Sequence, residues 1–80
     1  MVYLLKTPTA TWFCGDSVRA VTIAYNASLP DKRMHVQRSN LYSLLRGEIK
    51  SNLHKLCELQ KFDSVDNIPP PPSGVKILFV

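Results

Sequence analysis

The sequence predicts an α+β domain in which two or three helices pack with a small sheet formed by the terminal strands. Residues 2–6 and residues 75–80, from Val75 to Val80, are short, apolar and rich in β-branched or aromatic side chains, which is typical of strands. Between them, apolar residues recur at helical spacing. A chain of 80 residues suits a single domain, so we assign 1–80 to one small domain with a proline-rich connector at 68–74.

The two terminal segments are the clearest strand candidates. Pro8 has no amide proton and ends the first strand, while Ser73 and Gly74 precede the last one. Two strands alone are marginal in water, so they must pack on helices, gain a third strand near residues 10–13, or pair with another chain. A homodimer formed through the last strand is therefore one alternative.

Residues 18–25 are expected to form a helix. Asp16 or Ser17 is suited to capping its first amides, and Val18, Val21 and Tyr25 fall on one face. The β-branched content leaves a strand as the alternative reading. Residues 26–31 then read as a turn.

A basic amphipathic segment follows. Ser39 is predicted to cap a helix that begins at Asn40 and ends near Gly47, with its leucines on one side. Beyond Gly47, apolar residues recur at helical spacing as far as Phe62, so either a second helix starts at Ser51 or one longer helix includes Gly47. Residues 68–74, with four consecutive prolines, are expected to be an extended spacer. A proline-rich ligand for an aromatic groove is the other interpretation.

Charge is concentrated in the middle of the chain. The formal net charge is +4, and residues 32–61 hold seven Lys or Arg against two Glu. This bias favours an anionic partner, although a solvated helix surface would show the same pattern. No apolar run approaches the roughly 20 residues that span a bilayer, and no signal peptide is evident. We therefore expect no membrane partner and an intracellular location, cytoplasmic or nuclear depending on the host.

The residues that usually carry catalysis are scattered. Cys14 and Cys57 are 43 positions apart and form no ligand pair with His35 or His54, so we expect no metal site. The carboxylates and glycines form neither an acid–base pair nor a phosphate loop. The sequence predicts a protein that is not an enzyme and needs no cofactor, with both cysteines packed as small hydrophobic residues.

Nucleic-acid binding is the function that this inventory favours, with DNA favoured over RNA. Helix-turn-helix proteins read bases from the start of a second helix and hold phosphates with Lys and Arg. Arg38 and Asn40 are the candidates for base contacts, and Ser39 lies between them at the expected helix start. The candidates for phosphate contacts are Arg33, Arg46, Lys50 and Lys55.

Two stretches resemble known DNA-binding families. Thr11-Trp-Phe-Cys-Gly-Asp16-Ser-Val-Arg-Ala-Val21, followed by Tyr25-Asn26 and His35-Val36, resembles a Bro-N domain over residues 2–36. Residues 38–47 resemble the small helical modules attached to homing nucleases. Both resemblances imply a DNA-binding regulator of viral, phage or mobile-element type. In place of the family's Leu-Gly before the Tyr-Asn turn this chain has Ile-Ala, and its continuation from Gln37 differs from the family pattern.

Two other functional classes stay open. A small protein-interaction module or inhibitor could bind a host protein through an edge strand at residues 75–80 or through the apolar helix stripe between Leu41 and Phe62. A structural subunit of a larger assembly would instead be an obligate oligomer.

Overall fold

The structure, a computed structural model, describes residues 1–46 and 57–80. These ranges contain four strands and two α-helices in one α+β arrangement, as the sequence predicts. The strands are β1 (Val2–Lys6), β2 (Thr11–Gly15), β3 (Glu58–Phe62) and β4 (Lys76–Phe79). The helices are α1 (Val18–Ala27) and α2 (Arg38–Arg46), and short 3₁₀ turns cover Lys32–Met34 and Val65–Asn67.

The four strands form a mixed sheet in the order β3-β1-β2-β4. Antiparallel ladders join β1 to both β2 and β3, whereas β4 runs parallel to β2. The terminal strands share this sheet, as expected, but β2 separates them. A third strand near residues 10–13, one of the alternatives that the sequence leaves open, is present as β2, shifted toward Gly15.

Helix α1 begins as predicted. The Ser17 hydroxyl accepts a hydrogen bond from the Ala20 amide at 3.0 Å, and Val18, Val21 and Tyr25 are buried. The helical reading of this segment is therefore confirmed and the strand alternative is wrong. The predicted turn at 26–31 starts too early, because α1 continues through Ala27.

One prediction for the second half of the chain is wrong. Leu59 to Phe62 were assigned to a helical stripe, but they lie in β3, which pairs with the whole of β1. The ladder satisfies the backbone of both strands and places Leu59 in the core, and this outweighs the helical spacing of the leucines. The predicted helix end at Gly47 and the second helix from Ser51 lie outside the described residues.

The core lies between the sheet and the two helices. Leu5 and Phe13 from the central strands pack with Val21, Tyr25 and Leu41, which come from both helices. The ring centroids of Phe13 and Tyr25 are 5.7 Å apart in a tilted arrangement. This core fixes the position of α2 over the β3 side of the sheet.

The opposite face of the sheet is also covered at its centre. Leu4 and Cys14 alternate with the core residues of β1 and β2, yet they are 0% and 1% exposed. The connection from β3 to β4 must travel from one edge of the sheet to the other. The helical connection from β2 to β3 crosses the sheet in the opposite direction. Because crossovers between parallel strands are right-handed, two that run in opposite directions lie on opposite faces of the sheet. The connection from β3 to β4 therefore lies on the face opposite the helices.

Two glycines are needed where the connection ends and β4 approaches β2. Gly74 has a φ of +86° in a turn closed by the Val75 amide donating to the Pro72 carbonyl at 3.1 Å, which suits a type II turn. A Cβ on Gly15 would lie 3.0 Å from Cγ2 of Val80, so glycine allows the end of β4 to lie close to β2.

Candidate nucleic-acid interface

The chain entering α2 is held by the end of α1. The Asn26 side-chain amide donates to the Val36 carbonyl, and its oxygen accepts from the Val36 amide, both at 2.9 Å. Nε2 of His35 donates to the Leu29 carbonyl at 2.8 Å. These three bonds fix the path between the two helices, so α2 starts from a defined position.

Helix α2 begins at Arg38, two residues earlier than the sequence suggests. The Gln37 carbonyl accepts from the amides of Asn40 at 3.0 Å and Leu41 at 3.3 Å, which makes Gln37 the cap position. The predicted cap at Ser39 is therefore wrong, because Ser39 already lies in the first turn. Val36 is buried beside Asn26 and sets where the helix starts, and Leu41, at 0% exposure, anchors its inner face.

The outer surface of α2 carries exposed polar and basic side chains. Arg38, Tyr42 and Arg46 follow one another at four-residue steps, so they run along one side of the helix. A rise of about 1.5 Å per residue separates the two arginine Cα atoms by about 12 Å. The helix contains no acidic residue, and Ser39 is exposed next to this row. We call Arg38, Ser39, Tyr42 and Arg46 the basic row.

Asn40 does not belong to the basic row. It is exposed, but at about 100° per residue it lies about 200° around the helix from Arg38. The sequence-based pairing of Arg38 and Asn40 as joint base contacts therefore does not correspond to a shared face. A groove that receives the basic row would meet Asn40 only at its margin.

Arg33 is exposed but engaged with a neighbouring carboxylate. Its side chain contacts Asp31 through Nε at 3.2 Å and through a second nitrogen at 3.1 Å. Asp31 also accepts from the Arg33 backbone amide at 2.9 Å and so caps the 3₁₀ turn. Because one carboxylate balances this guanidinium, Arg33 contributes less positive field than its position in the sequence suggests.

The remaining candidates are divided between described and undescribed residues. Arg46 donates to the Ser43 hydroxyl at 3.5 Å at the end of α2. Lys50 and Lys55 lie outside the described residues. Sequence reasoning did not single out Tyr42, which is 40% exposed between the two arginines. Its four-residue spacing from each of them is the signal that identifies it.

The other ionisable groups of interest are buried away from this surface. The pKa of Tyr25 is raised to about 12, mainly by burial and to a smaller extent by the nearby Cys57. Burial also raises the pKa of the Cys14 thiol above its ordinary value. Both cysteines are buried, as predicted, and a raised pKa disfavours the reactive thiolate of Cys14.

The described residues contain no group of three His, Cys, Asp or Glu side chains placed to hold a metal ion. Neither of the two described helices has the length and apolar character to cross a membrane.

No family model matches this chain, and comparisons with curated proteins and with solved structures also find no match. The resemblances to Bro-N domains and to homing-nuclease modules stay predictions from the sequence.

Proposed function

We propose that this protein binds nucleic acid, DNA in preference to RNA, as a non-enzymatic regulator of viral, phage or mobile-element type. The observation that carries the proposal is the basic row of α2. Two exposed arginines flank an exposed tyrosine on a helix without acidic residues, and the helix is anchored by a fully buried leucine.

The dimensions of the basic row suit the major groove of B-DNA. The groove is about 12 Å wide and admits an α-helix, whose diameter with side chains is about 10–12 Å, and the basic row extends about 12 Å along the axis of that helix. Arg38, at the start of α2, is the candidate for a base edge, because arginine can contact guanine through two hydrogen bonds. Arg46 and Ser39 would contact phosphates, and Tyr42 would pack between them against the backbone or a thymine methyl group.

The preference for DNA follows from groove shape. The major groove of A-form RNA is deep and narrow and does not admit side chains for reading. A helix that offers its residues along one side therefore fits B-form DNA better than duplex RNA.

A titration across salt concentrations tests this function. We would follow the anisotropy of a labelled duplex of about 20 base pairs, and of its RNA counterpart, between about 50 and 200 mM salt. The expected result is saturable, salt-sensitive binding that is tighter for DNA. Arg46→Ala should weaken binding across sequences and reduce the salt slope by about one ion, whereas Arg38→Ala should also relax sequence preference.

Arg19→Ala is the matched control, because Arg19 is exposed on α1 and its loss removes the same charge from another surface. Equal effects of all three substitutions would show a general charge effect and contradict the assignment to α2. Absence of binding at the lowest salt concentration would exclude the function altogether.

The Asp31–Arg33 pair provides a second test of the same surface. Asp31→Asn keeps an oxygen that can accept from the Arg33 amide but removes the balancing charge. We expect tighter binding to DNA and a steeper salt slope, since a negative charge is lost from this surface. Unchanged affinity would place the interface away from the entry to α2.

A protein-interaction module is the second candidate. The observation in its favour is the exposed apolar strand β4, whose Leu78 and Phe79 are 47% and 60% exposed. The apolar helix stripe is a weaker candidate because Leu41, its first member, is fully buried. Salt-insensitive binding of a host protein that is lost in Leu78→Lys would favour this function over nucleic acid.

A further inference from the structure

The outer edge of β4 offers unused backbone groups in a symmetric pattern. The amides of Lys76 and Val80 donate to the carbonyls of Ala10 and Cys14 at 3.0 and 2.8 Å, so both face β2. Backbone direction alternates along a strand, and the N–H and C=O groups of Ile77 and Phe79 therefore point away from the sheet. Only β2 neighbours β4 among the described strands. The unused groups lie on either side of Leu78.

The two edges of the sheet differ in their side chains. Edge strand β3 carries the exposed polar residues Glu58, Gln60 and Lys61, which are typical of a protected edge. Edge strand β4 has one charged residue, Lys76, followed by four apolar residues to Val80. Leu78, Phe79 and Val80 are each 46–60% exposed. An exposed apolar edge of this kind is a template for pairing with another strand.

We propose that β4 pairs antiparallel with β4 of a second copy of this chain, with the two-fold axis at Leu78. In this register Ile77 lies opposite the partner's Phe79 and Phe79 lies opposite the partner's Ile77, so the unused groups form four hydrogen bonds. Leu78 faces the partner's Leu78 as a close, non-hydrogen-bonded pair. Each edge is thus complementary to itself, as a two-fold interface requires.

Other registers use these groups less well. Centring the pair on Ile77 would place Phe79 opposite the partner's Val75, whose amide is already bonded to Pro72 in its own chain. The Leu78 register also places Lys76 opposite the partner's Val80, so the two lysines are kept apart. In the Leu78 register, Ile77 lies opposite the partner's Phe79, and cross-strand pairs of an aromatic and a β-branched residue are favourable in sheets.

This pairing has a consequence that rests on the proposed function. The two-fold axis is perpendicular to the sheet, so both helical layers lie on the same face of a continuous eight-stranded sheet. Helix α2 packs over β3, the strand furthest from the axis. Measured across an untwisted sheet, seven spacings of about 4.8 Å separate the two copies of β3 by roughly 34 Å. This separation is close to one turn of B-DNA, the distance between half-sites read by two-fold DNA-binding dimers.

The dimer is tested without nucleic acid, by light scattering after size-exclusion chromatography over a range of protein concentrations. We expect a mass that rises with concentration to twice the 9.0 kDa of the monomer. Leu78→Lys places two like charges directly opposite each other and should hold the mass at the monomer value. Ile23→Lys is the matched control, because Ile23 is 57% exposed on α1, and it should still dimerise.

Phe79→Pro gives a second variant. Its amide faces outward, so proline removes an interchain donor without removing a bond within the sheet. Retained secondary structure by circular dichroism together with a monomer mass supports the pairing. A monomeric native protein at all concentrations, or Leu78→Lys and Phe79→Pro variants that still dimerise, would overturn it.

The DNA consequence is tested with duplexes carrying two copies of a selected site, centred about 10 or about 15 base pairs apart. The native protein should bind the duplex with the first spacing cooperatively and the duplex with the second spacing without cooperativity. The Leu78→Lys variant should bind both duplexes without cooperativity. A dimer that binds no DNA would refute the proposed function and leave the pairing intact. A protein that binds DNA but stays monomeric would refute the pairing alone.

Discussion

The bonds between Asn26 and Val36 should contribute strongly to stability, because they join a side chain of α1 to the backbone that enters α2. Asn26→Ala removes both. Val36 is 3% exposed, so its amide and carbonyl would be left without a partner in a buried position. Each such group costs about 1–3 kcal/mol, and the better helix propensity of alanine returns at most about 0.7 kcal/mol. We expect a net loss of about 2–4 kcal/mol in the free energy of unfolding.

Urea unfolding followed by the fluorescence of Trp12, the single tryptophan, measures this loss. Asn40→Ala is the matched control, because it makes the same substitution at an exposed position of α2 and should leave stability unchanged or slightly higher. For a domain of this size, a loss of 2–4 kcal/mol lowers the melting temperature by at least about 8 °C. Equal stability of the two variants would refute the reasoning that these bonds position α2.

Three further predictions concern the scaffold. Folding raises the pKa of Tyr25 from 10.0 to about 12, so the folded state favours the protonated hydroxyl. The free energy of unfolding should therefore fall by about 2–3 kcal/mol as the pH rises from 10 to 12. The free energy of unfolding of Tyr25→Phe should change less with pH in that range. Ser17→Ala should cost about 1 kcal/mol through loss of the helix cap, measured by urea unfolding. Gly74→Ala should cost about 1–2 kcal/mol because of its positive φ, whereas Ser73→Ala in the same turn should cost less than 0.5 kcal/mol.

The fold was predictable where local signals and tertiary packing agree. Residues 2–6 and β4 combine strand propensity with flanking proline or glycine, and Ser17 caps α1 as its position suggests. Strand β3 was not predictable in this way. Its residues Glu58 to Lys61 have good helix propensity, and an edge strand with one buried side chain lacks a clear alternation. Pairing with β1, which is distant in sequence, decides its conformation.

The candidate surface was predictable in composition but not in geometry. Arg38 and Arg46 of α2 are exposed, as the charge distribution suggests, because the helix packs on the core through Leu41 and Leu45 and leaves its other side in solvent. The sequence did not show that Asp31 engages Arg33 or that Asn40 faces away from Arg38. The first contact is local to the 3₁₀ turn that Asp31 caps. The second depends on α2 starting early enough to include Arg38, and the bonds between Asn26 and Val36 set that start across ten residues.

The two proposed binding activities would use opposite edges of the sheet. Helix α2 and its basic row lie over the polar edge β3, while the apolar edge β4 lies three strands away. Pairing through β4 would leave the basic row uncovered, and contact with DNA through α2 would leave β4 free to pair. Two weak half-site contacts linked by such a dimer act at a high effective concentration. In the proposed dimer, the second copy of α2 would add two arginines to the two that one helix provides, and the linked contacts would bind DNA more tightly than either alone.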